Sequence, residues 1–342
     1  STNKRAWGEV VAESSVGTWS KIDRNKYKYV NSVSAWVFEA KGDWIKIAYP
    51  EDHFEQGNLP QILASIAGNV FGMKAVESLR LEDIEFTKKI VDSFPGPKFG
   101  RNGIRKFMDV KKRPIMLSVA KPKVGMTTEE HTEVGRQIWS GGLDLLKDDE
   151  NLASQFFNPF EKRVKSCLKV RDRIEKETGE KKSYLINITG PTVKEMEKRA
   201  KIIKEYGGEF AMIDIITTGW SGVASMREIC GDLGLALHAH RAMHGAMTRN
   251  HLQGFSMTCV AKCSRLLGID TLHIGTANIG KLVGSKEEVI HLEDEITHET
   301  IEEHEKLLHT LHQDWYDIKP VFPCSSGGLH PAIVDKVLNR LG

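Results

Sequence analysis

No apolar run in the 342-residue sequence is long enough to span a bilayer, and no secretory leader is read ahead of Ala6. An excess of one charge is also missing. Lys and Arg number 48 against 46 Asp and Glu, interleaved, for a net charge of +2, which gives no support to a general nucleic-acid or membrane-surface role. Cysteine is sparse and scattered, at Cys167, Cys230, Cys259, Cys263 and Cys324. Cys259 and Cys263 are four apart on an expected helix, but no His or Cys pair completes a zinc site. Reduced thiols in a cytoplasmic protein are the expectation, and the Asn187-Ile188-Thr189 sequon is then incidental. No Gly-x-Gly-x-x-Gly follows any expected strand, which speaks against a dinucleotide-binding sheet.

What is there is an ordinary globular composition, 40% hydrophobic and 27% charged, with room for one large domain and a smaller one. The residues through Ser14 read as a short helix, broken by the small residues of Glu13–Trp19. Tyr27–Glu39 and Asp43–Ala48 are strand-like and joined by a hairpin signal with Gly42 in the turn. Leu59–Ala67 has helical spacing and stops at Gly68-Asn69, and Leu79–Phe86 reads as a further strand. Residues 1–95 thus form a small α+β domain, with Pro95–Gly100 as the linker to a second domain over 96–342.

From Arg113 the pattern becomes a strict alternation of strand and helix. Strands are expected at Arg113–Ala120, Leu143–Leu146, Tyr184–Thr189, Glu209–Ile216, Leu235–His240, Thr271–Thr276 and Val321–Ser326. Between them, Thr127-x-x-Glu130 is a capping box for a helix ending at Ser140. Phe160, Val164, Cys167, Leu168 and Ile174 share one face of the next helix, closed by Gly179. Val193, Met196, Ala200 and Ile203 point inward from the one after it. Seven βα units with continuous apolar strands indicate a parallel sheet covered by helices, and a (β/α)8-type barrel of which seven units are present is favoured. Chemistry in such a barrel gathers at the C-terminal strand ends. Those ends carry Lys121, Lys123, Lys147, Asp149, Glu150, Asn187, Asp214, His240, Arg241, His273 and Ser326.

Several of these have plain structural readings. Asn187 and Asp214 are weighted as strand-end structural partners. His238 and His240 point to the same face of their strand, so one of them suits a satisfied core histidine. His291, His298, His304, His309 and His312 read as solvated surface, and Trp315 and Tyr316 as packing residues. Within Gly141-Gly-Leu-Asp-Leu-Leu-Lys-Asp-Asp-Glu150, a lysine meets carboxylates suited to a hard cation such as Mg²⁺. A lysine ammonium would repel that cation unless its charge is removed or reversed. A solvated acidic loop after a strand is the alternative.

The same ten-residue stretch resembles the metal-site signature of the ribulose-bisphosphate carboxylase/oxygenase (RuBisCO) large subunit. The likeness extends over essentially the whole chain, most closely to archaeal-type form III enzymes. It includes Ala120-Lys-Pro-Lys-Val-Gly125, Leu237–His244, His273–Lys281, Ser325–His330, and in the small domain Glu13–Trp19 and Gly68–Gly72. The resemblance implies a ferredoxin-like N-terminal domain and a homodimer or higher homo-oligomer. It also implies carboxylation of ribulose 1,5-bisphosphate with CO₂ to two molecules of 3-phosphoglycerate, with O₂ as the oxygenase co-substrate. Lys147 would become a CO₂-derived carbamate that binds Mg²⁺ with Asp149 and Glu150 and takes the carbon-3 proton. Lys121, with Lys123 beside it, would handle protons at the reacting carbons, Lys281 would neutralise the new carboxylate, and His240 would serve as a base in hydration and cleavage. Arg241 and His273 would bind one phosphate, Ser326 and Gly328 would sit at the sugar, and Thr18 and Trp19 would approach the other phosphate. Glu13 and Asn69 would support Lys281 and the substrate.

Some positions depart from the family's pattern. Val283 stands where the loop often has an acid, and Val119 at a contact position that is Thr in some members. The family's eighth strand and its glycine-rich phosphate turn are not among these 342 residues, and the N-terminal sheet starts late. Two rival readings are a RuBisCO-like enolase or isomerase of methionine salvage and an inactive dimerising fragment. Lys121, Lys281, His240 and Ser326 favour the carboxylase.

The short chain is expected to bind the bisphosphate weakly, and ¹⁴CO₂ fixation should rise when a family-like eighth βα unit is appended. Equal activity of both chains would show that this unit is dispensable. The resemblance also places Glu13, Thr18 and Asn69 in a neighbouring subunit's site. Mixing Glu13→Gln with Lys147→Ala subunits, both carrying the eighth unit, should restore fixation in heterodimers, whereas no recovery after verified exchange counts against shared sites.

Overall fold

In the computed structural model, the described residues are 2–17, 23–282, 284–304 and 309–341. Thr18, Trp19 and Val283 therefore lie outside them. Contacts group the chain into two units. The first comprises Ser1–Phe94, Gly245–Cys263 and Thr300–Asp317, and the second Pro95–His244, Ser264–Glu299 and Ile318–Gly342.

The first unit opens with the helix Thr2–Ser14. Its hairpin pairs Trp36–Lys41 with Trp44–Ala48 antiparallel, and Gly42 takes φ +61 in the turn. The expected strand over Tyr27–Glu39 is thus shorter than its apolar pattern suggested. Arg24–Lys26 forms a 3₁₀ turn capped by Asp23, and Ser32 and Ser34 hydroxyls donate to the Tyr29 and Val30 carbonyls at 2.9 and 2.6 Å. Side chains that satisfy local carbonyls in this way favour turns over a ladder. Leu59–Ala67 is helical as expected, with Asn58 accepting from the Gln61 N–H at 3.0 Å. The expected strand Leu79–Phe86 contracts to Arg80–Leu81, which pairs parallel with Gly254–Phe255. Asp83 is held there by the buried Lys262 ammonium and the Leu311 N–H. Trp315 is buried, as a packing residue should be, whereas Tyr316 is exposed.

The second unit contains seven parallel strands in chain order: β1 (Leu117–Val119), β2 (Leu145–Lys147), β3 (Ser183–Asn187), β4 (Phe210–Asp214), β5 (Ala236–His240), β6 (Thr271–His273) and β7 (Phe322–Cys324). Each pairs with its sequence neighbours, for example Val119 with Lys147, Lys147 with Leu185 and His273 with Cys324. β3 and β4 are buried at every position, as strands covered on both faces must be.

Local signals set the helices. Thr127 and Glu130 form the full capping box of α1 (Thr128–Ser140). α2 (Phe160–Thr178) ends on Gly179 in the left-handed conformation and buries the expected apolar face. In α3 (Val193–Glu205), Met196, Ala200 and Ile203 are buried, but Val193, in the first turn, is exposed. β1 is shorter than the apolar run that suggested it. Asp144 takes the Arg113 guanidinium in two bonds of 2.7 Å and the Met116 N–H at 2.8 Å, so a side chain holds the segment ahead of β1, and the Met116 carbonyl accepts from the Asp144 and Leu145 N–H groups.

The two ends of the strands differ. At the N-terminal end, Leu145, Leu185, Phe210 and Ala236 form an apolar cluster with Ile104 and Met108 of the helix Gly100–Met108. That helix is tied down by Asp270, whose buried carboxylate accepts from the N–H groups of Phe99, Gly100 and Leu237 at 2.7, 2.9 and 3.0 Å. The sealed end leaves the C-terminal end for polar side chains. Replacing Asp270 with Ala would strand three donors, so Asp270→Ala should cost at least ~3 kcal/mol in urea unfolding. A loss below about 1 kcal/mol would show that these amides are satisfied in another way.

Candidate active site

Strand period and pairing place the rim residues. At the end of β2, alternate side chains point to opposite sides, so Lys147 and Asp149 face one way and Asp148 the other. Asp148 is fully buried and accepts from the Tyr184 hydroxyl, the Asn187 N–H at 3.0 Å and Arg163 Nη2 at 3.3 Å, with His131 Nε2 3.5 Å away. Asn187 clamps the following turn by donating to the carbonyls of Glu150 and Leu152 at 3.1 and 3.2 Å. Asn187 is therefore the strand-end structural partner that was expected. The Asp148 hub went unrecognised in the sequence, although the period-2 argument that pairs Lys147 with Asp149 already turns Asp148 inward.

Lys147 is 2% exposed, and its Nζ donates to the Asp148 carbonyl at 2.9 Å. Burial pushes its pKa down, against the opposing pull of Glu150 and other nearby acids. Asp149 carries the Lys121 ammonium in a direct ion pair. Burial works against the Asp149 charge, but the bonds from Lys121 and the Asn151 N–H outweigh it and keep the carboxyl below the usual range. Glu150 Oε2 lies 3.6 Å from His240 Nε2, and His240 Nδ1 is 2.8 Å from Asp214 Oδ1. Ala242 N also approaches Nδ1 at 3.2 Å. The closer carboxylate can only accept, so it decides the tautomer, placing the proton on Nδ1 and leaving Nε2 to take one.

Across β5, β6 and the end of β7, His238 is buried against Thr271 and His273, as one of the paired histidines was expected to be. His273 Nδ1 in turn lies 2.6 Å from Ser326 Oγ. Arg241 is 9% exposed and makes no ion pair among the described residues. Burial pulls it down to about 10, so it stays charged at neutral pH. His244 is driven to about 4, first by burial. Gly280 and Gly328 permit a close crossing of two loops. A Cβ on Gly280 would lie 2.0 Å from the Gly327 carbonyl oxygen, and one on Gly328, at φ +75, would lie 2.7 Å from Lys281 Cγ. Lys281 N donates to Gly327 O at 2.8 Å across this crossing, which anchors the exposed Lys281 beside Gly328.

The structure thus joins Lys121, Lys147, Asp149, Glu150 and His240 through direct or adjacent contacts, and His273 with Ser326. Lys123 turns aside to Asn151 and is exposed. Glu13 and Asn69 lie in the first unit and bond each other at 3.0 Å. No three His, Cys, Asp or Glu side chains among the described residues converge on a metal position. The donor set still suits a hard cation. It offers two carboxylates beside a buried amine, and one of them already accepts a positive charge from Lys121.

Residues 1–90 match the ribulose bisphosphate carboxylase large chain N-terminal domain, and residues 101–342 the catalytic domain of the same protein. The ribulose bisphosphate carboxylase of Methanocaldococcus jannaschii is 47% identical over 98% of this chain and 80% of that protein. Among solved structures, the dimeric archaeal Rubisco of Hyperthermus butylicus is similar with a TM-score of 0.93 and 43% identity over 99% of this chain and 79% of that one. The octameric Rubisco of Pyrococcus horikoshii has a TM-score of 0.89 and 46% identity over 99% and 77%. The apolar sealed end, the lysine-and-carboxylate rim and both domain matches agree, and the chain belongs to the RuBisCO large-chain family.

Proposed function

We propose that the protein is a ribulose-bisphosphate carboxylase. It converts ribulose 1,5-bisphosphate and CO₂ to two molecules of 3-phosphoglycerate, with O₂ as the competing substrate of an oxygenase reaction. It works as a homodimer or higher homo-oligomer in the cytoplasm. No described helix is long and apolar enough to cross a membrane. The observation that carries the reading is Lys147, an almost fully buried amine beside Asp149 and Glu150 at a barrel-strand end.

Burial favours the neutral amine, which is the form that attacks CO₂. The new N–C bond and loss of a proton give a carbamate, which turns the lysine into an anionic oxygen donor. Lys147 in this form, Asp149 and Glu150 would hold Mg²⁺, which when bound supplies Lewis-acid stabilisation of an enediolate. The third oxygen donor that no carboxylate provides would then come from Lys147 itself.

Lys147 in this form would also accept the carbon-3 proton. Lys121, which pairs with Asp149, would carry protons at the reacting carbons, with Lys123 assisting from its position two residues on. His240, its Nδ1 proton held by Asp214, offers Nε2 as the base for hydration and cleavage. Arg241 is a buried cation in need of an anion, and one substrate phosphate, shared with His273, supplies it. Lys281 neutralises the carboxylate formed at carbon 2. Ser326 and Gly328 line the sugar, while Glu13, Thr18, Trp19 and Asn69 serve the other phosphate and Lys281. The isomerase alternative of methionine salvage is not favoured, because these carboxylation residues are all in place in the sequence.

The direct test is bisphosphate-dependent incorporation of ¹⁴CO₂ into acid-stable 3-phosphoglycerate. Enolisation without carbon fixation would reject the carboxylase. Lys147→Ala should abolish CO₂-stimulated Mg²⁺ binding and lower fixation by at least about 1,000-fold. If metal affinity did not respond either to CO₂ removal or to the substitution, the role given to Lys147 would be wrong.

A further inference from the structure

Lys121 and Asp149 serve different tasks in the proposed reaction, one at the reacting carbons and the other on Mg²⁺, yet they hold each other. The contact follows from strand register. Val119 and Lys147 are partners in the parallel pairing of β1 and β2. Two residues further along both segments Lys121 meets Asp149, and two further again Lys123 meets Asn151. The same register that aligns the strands thus delivers a lysine ammonium onto a carboxylate at the rim.

The pair is unequal. The Asp149 side chain is 3% exposed and the Lys121 side chain 61%. A buried carboxylate needs a positive partner, and Lys121 supplies it at Oδ2, while Oδ1 takes only the Asn151 N–H at 3.3 Å. The lysine depends on the acid much less, because its ammonium can turn to water at little cost. Asp149 is also the one acceptor that Lys121 reaches among the described residues. Asp149 is therefore the fixed partner and Lys121 the one free to leave.

A hard cation changes the balance. Two positive charges on a carboxylate with one negative charge leave a net positive group beside the ammonium, and attraction becomes repulsion. Conversely, an ammonium bonded to Asp149 is not available at the carbons of a substrate. The ion pair and the metal exclude each other.

We propose that Lys121 is a built-in stand-in for the metal, which occupies Asp149 until Mg²⁺ arrives, competes with Mg²⁺ for that carboxylate, and is released towards the substrate when the metal binds. The inference rests on the reading of Asp149 as a Mg²⁺ ligand. It deepens that reading by making metal loading the event that frees the proton-carrying lysine.

The competition can be measured without turnover, by calorimetric titration of Mg²⁺ at saturating CO₂. Lys121→Met should bind Mg²⁺ about five- to tenfold more tightly than wild type, the worth of one charge-assisted contact. Lys121→Arg, which keeps the cation, should stay near wild type. Lys123→Met removes the same charge from a lysine that bonds Asn151 instead, and it should gain clearly less. Unchanged or weaker binding in Lys121→Met, or an equal gain in Lys123→Met, would overturn the competition. Release is read in the wild-type chain, from the rate at which acetic anhydride acetylates Lys121, followed by mass spectrometry. Adding Mg²⁺ with CO₂ should raise that rate, and Lys147→Ala should remove the rise. A rate that does not rise with bound Mg²⁺ would overturn the release. Wild-type protein that binds Mg²⁺ but fixes no CO₂ would reject the carboxylase reading and leave the competition intact, whereas protein that binds no Mg²⁺ at any CO₂ concentration would overturn both.

Discussion

The site depends on one buried carboxylate. Asp148 has no access to water, and a charge in that position is tolerated only when donors surround it. Arg163, Tyr184 and the Asn187 N–H supply them, from α2 and β3. Because side chains alternate along a strand, securing Asp148 on one side fixes Lys147 and Asp149 on the other. Asn187 then holds the turn that follows through its carbonyls. The reactive lysine and its carboxylates thus sit on a support that does not itself take part in the chemistry.

The second constraint is the asymmetry between the two strand ends. The buried face of the helix Gly100–Met108, through Ile104 and Met108, and the Asp270 carboxylate close the N-terminal end. At the other end the sheet gathers ammonium, guanidinium, imidazole and carboxylate groups. Their charges do not simply cancel. Lys121 pairs with Asp149 and His240 with Asp214, while Lys147 is deprived of solvent and Arg241 lacks an ion-pair partner among the described residues. A site with these imbalances suits a substrate that brings its own phosphates and an activator that reverses the charge of a lysine.

Much of this was legible in the sequence. The seven strands and their order followed from apolar runs separated by helical periods, because a strand covered on both faces has to be continuously apolar. The capping box at Thr127 and Glu130 and the stop at Gly179 were readable because both are local backbone chemistry. The rim residues could be placed because a strand end is a position along the chain, and the resemblance to RuBisCO gave each a role.

Other features depended on partners that are distant in sequence. Residues 245–263 and 300–317 group with the N-terminal residues, which no local pattern signals. Tyr27–Val33 has the composition of a strand, but nearby serine hydroxyls satisfy its carbonyls in turns. Asp148, Asp149 and Glu150 are three adjacent acids in the sequence. Strand period turns Asp148 away from Lys147 and Asp149, but the packing of Arg163 and Tyr184 from other elements is what makes it a buried anchor. The histidine row is similar. A strand period places His238 and His240 on one face, but only the neighbouring strands bring Thr271 and His273 against His238, and Ser326 against His273. Periodicity and local hydrogen bonding are written along the chain, whereas the solvation, charge state and tautomer of a side chain are set by groups that only the fold brings together.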